Sequence, residues 1–282
     1  MSAPSPKFLF RYCGHPLWPE ERPLENSGLK LLDKLTLKVT PPSHFNDPFE
    51  FRPVFGKPVS KGEARERLLS AIAVENRKRG LPPKLAQDLT DVVLSLKPGQ
   101  DDLNFVAQQS VQPWLSDGYG VVCFSEVDDQ PLMWAHYAAQ HLGLVVEFDP
   151  AAPLFRTAGF VRVEYKPERS TVVPSRDHEF EQIVALATRK SPAWDYEREY
   201  RLVVPLDKTL KFATANGDIH LLKIEPRWIK SVTVGLRASV EIIAEINKLV
   251  RSPQLSHLHP QRYRMVMDST TFRLIRQRVD RF

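Results

Sequence analysis

Two glutamates separated by one residue are the strongest candidates for chemistry in this chain of 282 residues. Glu197 and Glu199 stand in the segment 194–201 (WDYEREYR), directly before an apolar run. In an extended chain alternate side chains share one face, so Glu197, Glu199 and Arg201 are expected to face the same way. Close carboxylates repel, which raises the pKa of one of them unless a cation such as Arg201 intervenes. The same pattern also fits an exposed, salt-bridged edge strand.

A loop rich in aromatic and polar residues precedes this segment by about 150 positions. Residues 45–50 read FNDPFE, in which Asn46 and Asp47 stand before a proline. Asn and Asp side chains hydrogen-bond nearby backbone, and the Asn-Asp-Pro order is typical of a turn. The loop is therefore either a structural turn with aromatic anchors or part of a binding site.

A strand and a helix supply a further set of polar and aromatic groups. Ser125 lies near the end of an apolar strand pattern over residues 119–126, and a short predicted helix over 131–140 presents Trp134 and Tyr137. An apolar wall with a few hydrogen-bonding groups suits an aromatic ring ligand. The alternative is that these aromatic side chains are ordinary core.

Metal chemistry has one candidate arrangement. Asp149 is followed by Glu164 and Lys166, and an acid followed by acid-x-Lys on a pair of strands is the layout of many metal-dependent nucleases. In such enzymes the acids hold a divalent ion and the lysine steadies the water or the phosphate. His136 and His141 are five residues apart rather than the four of a helical zinc pair, so we expect no metal site there.

Positive charge is concentrated at the carboxyl end. The formal net charge is +5, and residues 251–282 carry seven arginines against two aspartates. The arginines are Arg251, Arg262, Arg264, Arg273, Arg276, Arg278 and Arg281. A basic surface attracts phosphate-rich partners through its long-range field, so a non-catalytic nucleic-acid-binding module is a second alternative. A solvated strand face explains the same composition.

The order of elements favours a mixed α+β fold. Strand patterns dominate the second half, helical patterns cluster before residue 118, and the two do not alternate regularly. We predict a single domain over residues 1–282 with a largely antiparallel split sheet and flanking helices. A helical insert is expected at 57–118 and basic carboxyl-terminal strands at 251–282.

Composition points to a soluble cytoplasmic protein. Apolar runs are far shorter than the ~18 residues that span a bilayer, and the first residues lack the apolar core of a signal peptide. Cys13 and Cys123 are the two cysteines, too few for a disulfide framework. We expect reduced thiols and no membrane partner.

Several of these segments, in this order, resemble the bacterial family called domain of unknown function 2971. They are residues 10–12, 46–50, 124–126, 134–137, 143–149 and 197–201. The resemblance covers about residues 8–206, so the basic carboxyl end lies outside it.

The same order of motifs more weakly resembles the ADP-ribosyltransferase pattern. That pattern has a basic residue on a first strand, a serine on a middle strand and Glu-x-Glu near a later strand. Arg11, Ser125, Glu197 and Glu199 occupy these positions here. The middle motif departs from the pattern, because it reads CFSE rather than Ser-Thr-Ser.

This resemblance implies an NAD-consuming mono-ADP-ribosyltransferase or NAD glycohydrolase, with a role as a toxin or phage-defence effector. Glu199 would stabilise the oxocarbenium-like transition state, and Glu197 would orient or deprotonate an acceptor, protein or nucleic acid. The implied NAD-binding side chains are Arg11, Tyr12, Asn46, Asp47, Ser125, Trp134 and Tyr137. NAD is the expected substrate, and no metal is expected in this mechanism.

Overall fold

The computed structural model describes residues 6–14, 26–55, 117–172, 179–214 and 217–280, with ten further positions between 73 and 115. The helical insert predicted over 57–118 lies almost entirely outside the described residues.

Fifteen strands are found in the described part of the chain. They are β1 Leu9–Cys13, β2 Thr36–Val39, β3 Val54–Phe55, β4 Tyr119–Ser125, β5 Leu144–Phe148, β6 Phe160–Arg162, β7 Glu164–Tyr165, β8 Thr171–Val172, β9 Arg189–Lys190, β10 Glu199–Pro205, β11 Leu210–Thr214, β12 Gly217–Lys223, β13 Ile229–Val234, β14 Arg262–Met267 and β15 Leu274–Arg278. Eight of them form one sheet in the order β15-β14-β13-β5-β1-β4-β10-β6. Smaller sheets have the orders β11-β12-β2, β3-β8 and β7-β9.

The large sheet is mixed but mostly antiparallel. Only β13 and β14 run parallel among its neighbours. β1 pairs with β5 over five residues, whereas its contact with β4 is a single register pair, Phe10 opposite Ser125. The predicted α+β class is confirmed.

Four α-helices with described bounds pack on this sheet. They are α1 Ser27–Lys34, α2 Pro131–Tyr137, α3 Glu179–Ala187 and α4 Val240–Leu249. The Asn26 side chain caps α1 by accepting a hydrogen bond from the Gly28 N–H at 2.7 Å. Ser239 caps α4 in the same way, and Pro131 stands in the first turn of α2, where its missing N–H costs nothing.

One face of the large sheet is covered by α1 and α4. Leu29 and Leu32 of α1 and Ile242 and Ile246 of α4 are buried in one apolar cluster with side chains of β4, β5 and β10. Each such side chain contributes about 1.5–3 kcal/mol by leaving water. This face is therefore the main source of stability.

The opposite face is covered in two halves. Under α2, Trp134 packs with Phe10 and Val145. Under α3, Ile183 packs with Val203 and other side chains of β4 and β10. The two apolar clusters are separate, and polar side chains lie between them.

Sequence patterns also predict strands over 142–149 and 160–166 that pair with each other and a helix over 179–190, and these three assignments differ from the structure. The strand expected over 160–166 breaks at Val163, whose N–H donates to the Glu199 carbonyl at 2.9 Å, and its end leaves the large sheet as β7. The suggested pairing of 142–149 with 160–166 is wrong, because β5 pairs with β1 and β13. The helix expected to reach Lys190 ends at Ala187, and the chain continues as β9.

Candidate functional site

Five charged side chains are buried together between the apolar clusters of α2 and α3. They form what we call the charged cluster: Glu50, Lys190, Glu197, Glu199 and Arg201. Each of the five residues is at most 5% exposed, although ionised groups almost never lose contact with water so fully. Burial of this kind is costly unless every charge is paired.

Arg201 neutralises one carboxylate almost completely. Its Nε and Nη2 atoms donate to the two oxygens of Glu199, both at 2.9 Å, and Nη2 lies 2.9 Å from Glu50 Oε2. Nη1 donates to the Ala187 carbonyl at 3.2 Å, at the end of α3. The guanidinium also lies over the ring of Phe45, 5.4 Å from its centroid. Arg201 is thus a structural cation rather than a group that can receive a ligand.

Lys190 joins the three carboxylates of the charged cluster. Its Nζ lies 2.5 Å from Glu197 Oε2, 2.9 Å from Glu50 Oε1 and 3.3 Å from Glu199 Oε2. Short parallel pairing of β9 with β7, with Tyr165 opposite Lys190, brings the ammonium here. Burial alone would lower the pKa of Lys190, but the carboxylates Glu199 and Glu50 raise it above its ordinary value.

Glu197 reaches the charged cluster from a turn rather than from a strand. It ends the 3₁₀ helix Pro192–Glu197, and Arg198 follows in the left-handed region with φ 43°. Glu199 and Arg201 share one face of β10, as alternation predicts, but Glu197 joins them through this turn. The Tyr137 hydroxyl at the end of α2 donates to Glu197 Oε1 at 2.7 Å.

The two glutamates of the Glu-x-Glu pair have opposite pKa shifts. Burial and the neighbouring Glu199 charge raise the pKa of Glu197 to about 7, despite the hydrogen bonds from Lys190 and Tyr137. Burial alone would also raise the pKa of Glu199, but Arg201 and Lys190 hold it well below the ordinary value. Glu199 is therefore a fixed anion, whereas Glu197 exchanges a proton near neutral pH.

A chain of polar groups connects Glu197 to the surface. Asn46, which is exposed, donates from Nδ2 to the Tyr137 hydroxyl at 3.4 Å, and Tyr137 donates to Glu197. Loop 45–50, α2 and the Glu-x-Glu segment therefore meet at Glu197.

Ser125 holds the turn that carries Glu197. It is fully buried, and its hydroxyl donates to the Glu197 carbonyl at 2.6 Å while accepting from the Val127 N–H at 3.1 Å. Its position opposite Glu199 in the β4–β10 register places it beside the charged cluster. Both contacts are to backbone, so Ser125 positions the turn and does not face a ligand.

Arg11 makes no ion pair with Glu197 or Glu199. Phe10, Ser125 and Glu199 share one face of the sheet by register, and alternation assigns Arg11 to the other face. Burial and the neighbouring Glu199 raise the pKa of the Cys123 thiol and the Arg11 charge lowers it, so Arg11 lies at the border of the charged cluster. Its Nη1 donates to the Cys123 carbonyl at 2.7 Å, next to the single register pair between β1 and β4. Of the three residues expected to converge, Ser125 lies opposite Glu199, whereas Arg11 is linked to Glu199 only through the neighbourhood of Cys123.

Tyr12 and Trp134 are core residues in this structure. Their rings pack edge to face with centroids 5.5 Å apart, and Trp134 is fully buried. The Tyr12 hydroxyl donates to the Val127 carbonyl and the Trp134 Nε1–H to the Asp128 carbonyl, at 3.0 and 2.6 Å. These bonds fix the segment between β4 and α2.

Asp47 lines a cavity of about 310 Å³ beside the charged cluster. Loop 47–53, segment 166–170 and the end of α3 with β9 form its walls. Ionised side chains on these walls are Asp47, Glu50, Arg52, Lys166, Glu168, Arg169, Arg189 and Lys190. Cations outnumber carboxylates there, and we call this space the basic cavity. Glu50 and Lys190 belong to both the basic cavity and the charged cluster.

The residues of the metal-dependent alternative are not assembled. Asp149 follows β5 and lies 4.0 Å from Lys230, whereas Glu164 on β7 pairs with Lys166 at 3.2 Å. Four strand spacings, on the order of 19 Å, separate β5 from β6, which directly precedes Glu164. Within the described residues, no group of three or more His, Cys, Asp or Glu side chains could hold a metal ion.

Three of the carboxyl-terminal arginines have side-chain contacts within the fold, of which the exposed Arg278 donates to the Pro260 carbonyl at 3.1 Å. Arg262 is buried and donates to Asn247 Oδ1 at 2.7 Å. Arg276 lies 2.8 Å from Glu147 Oε2 and 3.3 Å from Asp128 Oδ2, and stacks on the Tyr263 ring. Arg251, Arg264, Arg273 and Arg278 are exposed, and Arg281 lies outside the described residues.

Lys190 and the basic cavity were not predicted from the sequence. Lys190 stands at the end of a helical pattern and has no local motif; it joins the site through β7–β9 pairing. Arg169 and Arg189 likewise come from segments with no recognisable motif. Glu50 is the last residue of FNDPFE, and its place between Phe49 and Phe51 was the one signal in the sequence that it is buried.

Comparisons with protein-family models, with curated proteins and with solved structures found no match to this chain. Across the part of the chain that the structure describes, the helices are too short or too polar to cross a bilayer.

Proposed function

We propose that this protein is an enzyme that cleaves the bond between nicotinamide and ribose in NAD, as a mono-ADP-ribosyltransferase or an NAD glycohydrolase. The observation that carries the proposal is the pair of buried glutamates with opposite pKa shifts beside a cavity lined with cations. A buried anion and a proton-exchanging carboxylate are the two groups that glycosyl transfer uses.

The charge balance of the charged cluster suits a cationic transition state. Three carboxylates face two cations, so the cluster is net negative whenever Glu197 is ionised. Departure of nicotinamide leaves positive charge on the ribose, and a fixed negative field stabilises that charge more than it stabilises the ground state. Glu199 provides a permanent part of this field.

The structure suggests different roles for the two glutamates from those that the resemblance implies. Glu199 is held by Arg201 and has little freedom to touch a substrate. Glu197, with a pKa of about 7, is the better candidate to take a proton from water or from an acceptor. In this proposal Glu199 is the positioning anion and Glu197 the base.

Access to Glu197 from the basic cavity passes by Lys190. The ammonium lies between the cavity, which it lines, and Glu197 Oε2. An anionic substrate attracts Lys190, and movement of its ammonium towards a phosphate exposes the carboxylate behind it. Binding of NAD and uncovering of the base are therefore coupled in this proposal.

Release of nicotinamide from NAD tests the proposal directly. The purified chain is incubated with NAD, and nicotinamide is measured by chromatography at pH 8. We expect release by the parent protein and a loss of about 100-fold in Glu197→Gln, since general-base groups contribute at least that much. The control is Glu225→Gln, which changes an exposed glutamate and should retain the parent rate.

Two results would overturn the proposal. One is a parent protein that releases no more nicotinamide than buffer does. The other is a folded Glu197→Gln variant, checked by thermal unfolding, that is as fast as the parent. Free ADP-ribose among the products identifies a glycohydrolase, and a mass increase on a protein or nucleic acid identifies a transferase.

A cytoplasmic location, as a toxin or defence effector, completes this proposal. NAD is abundant in the cytoplasm, and Cys13 and Cys123 are both free thiols. The acceptor would be a protein or a nucleic acid that reaches the mouth of the basic cavity.

A further inference from the structure

The walls of the basic cavity come from three distant parts of the chain. The Val54 N–H donates to the Ser170 carbonyl at 2.8 Å, which joins loop 47–53 to segment 166–170. The Lys166 N–H donates to the Lys190 carbonyl at 3.0 Å, which joins that segment to β9. The cavity is therefore a built feature with a backbone frame, and its volume lies at the lower end of the range for ligand sites.

Asp47 presents an unused acceptor to this cavity. The residue is 3% exposed, and its Oδ1 accepts from the Phe49 N–H at 2.9 Å. Its Oδ2 is buried and has no hydrogen-bond partner among the described residues. A buried carboxylate oxygen without a donor is costly, so this position favours a ligand that brings a hydroxyl group.

The cationic side of the cavity favours a phosphate. Arg52, Lys166, Arg169 and Arg189 line it, against the carboxylates of Asp47 and Glu168 once the internal Glu50–Lys190 pair is set aside. Glu164, outside the lining, pairs with Lys166 at 3.2 Å, and four cations still face three carboxylates when it is counted. Arg189 Nε is buried and makes no hydrogen bond to any described group, whereas Nη1 donates to the Glu168 carbonyl at 3.4 Å and Nη2 lies 3.8 Å from Glu164 Oε2. Guanidinium groups bind phosphate oxygens through two parallel hydrogen bonds, which makes arginine the usual residue for this task.

An aromatic ring stands at the same cavity. Phe49 lines it and is 62% exposed, so its ring is open to a ligand in the cavity. Exposed aromatic rings beside cationic grooves serve as stacking platforms for nucleic-acid bases. The cavity thus offers Asp47 as an acceptor for a ligand hydroxyl, cationic side chains for a phosphate and the Phe49 ring for a base.

We infer that the basic cavity is a binding site for a nucleoside 5′-phosphate, with Asp47 on a ribose hydroxyl, Arg169 and Arg189 on the phosphate and Phe49 under the base. The inference deepens the proposed function and rests on it for its biological meaning, because a nucleoside phosphate is one half of NAD. Binding itself is independent of turnover.

Isothermal titration of the full-length protein with AMP, adenosine and ribose 5-phosphate tests the inference. We expect AMP to bind at least tenfold more tightly than adenosine, because adenosine lacks the phosphate. Arg169→Ala should weaken AMP by roughly tenfold and leave adenosine unchanged. Arg227→Ala, which removes another exposed arginine far from the cavity, should leave AMP binding at the parent value.

Phe49→Ala isolates the stacking contact. We expect it to weaken AMP by roughly tenfold and to leave ribose 5-phosphate unchanged, since the latter has no base. Because Phe49 is largely exposed, the variant should unfold at the parent temperature. Asp47→Asn should weaken AMP and ribose 5-phosphate by the same factor.

Equal affinity for AMP and adenosine, or equal loss of AMP and ribose 5-phosphate in Phe49→Ala, would overturn the inference. So would the absence of AMP binding at millimolar concentration. The two proposals fail separately: AMP binding without nicotinamide release contradicts only the enzymatic proposal, and nicotinamide release without AMP binding contradicts only the nucleotide site.

Discussion

The guanidinium of Arg201 and the carboxylate of Glu199, two residues apart on β10, form a bidentate ion pair with both N–O distances at 2.9 Å. This pair explains why the Glu-x-Glu segment contains two chemically different acids. Glu199 is kept ionised, and its charge then raises the pKa of Glu197. The residue two positions after Glu-x-Glu is therefore as important to the site as the acids themselves.

Lys190→Met should destabilise the protein strongly. The substitution leaves three buried carboxylates with a single cation, and breaking a buried pair typically costs about 3–5 kcal/mol. Urea unfolding at pH 7 measures the change. Lys208→Met, at an exposed lysine, is the control and should stay within about 0.5 kcal/mol of the parent.

The same substitution offers a second test through Glu197. Adding Glu197→Gln to Lys190→Met removes one of the unpaired charges, so the double variant should be more stable than the sum of the single effects predicts. Strict additivity of the two changes would contradict the charged cluster as a single electrostatic unit.

Glu197→Gln should change how stability depends on pH. The folded-state pKa of Glu197, about 7, is above the ordinary 4.5, so the folded protein holds this proton more tightly than the unfolded chain. Its stabilising contribution is full below about pH 4.5 and is lost as pH rises through 7, up to about 3 kcal/mol. Glutamine cannot ionise, so the variant should gain stability relative to the parent between pH 5 and 8.

Urea unfolding at intervals across that pH range gives the difference in free energy of unfolding between variant and parent. Glu225→Gln, at an exposed glutamate, should give a constant difference. A constant difference for Glu197→Gln as well would show that the carboxyl group does not titrate in this window.

Tyr137→Phe should raise the pKa of Glu197 further. The Tyr137 hydroxyl donates to Glu197 Oε1 at 2.7 Å, and this bond favours the ionised form. Under the proposed function, the pH at which nicotinamide release is half-maximal should move upward by about one unit. The measurement is a profile of the nicotinamide-release rate from pH 5 to 9. An unchanged midpoint would show that the Tyr137 hydroxyl does not affect the pKa of Glu197.

Arg276→Ala should destabilise the protein by about 1.5–3 kcal/mol, because it leaves the half-buried Glu147 and Asp128 without their cation. Arg273→Ala, at an exposed arginine of the same region, should have almost no effect on urea unfolding. Equal effects would mean that the ion pairs of Arg276 contribute nothing measurable.

Local patterns predict the fold class and a strand over 199–206, which the structure has as β10, because a short apolar run that ends near a proline is encoded within a few residues. The helix α1 was missed even though Asn26 is a good cap, since its eight residues follow a proline-rich stretch. Lys190 and Arg11 show the limit more clearly. Lys190 joins the charged cluster and Arg11 stays at its border according to strand register, which depends on pairing partners far away in the chain.

The frame of the basic cavity is made of very short ladders. β3 meets β8 over two residues, and β7 meets β9 over two. Substitutions in segment 166–170 can therefore change the shape of the basic cavity without disturbing strand pairing in the eight-stranded sheet. The ligand specificity of the basic cavity can therefore diverge in evolution while the ion pairs of the charged cluster stay the same.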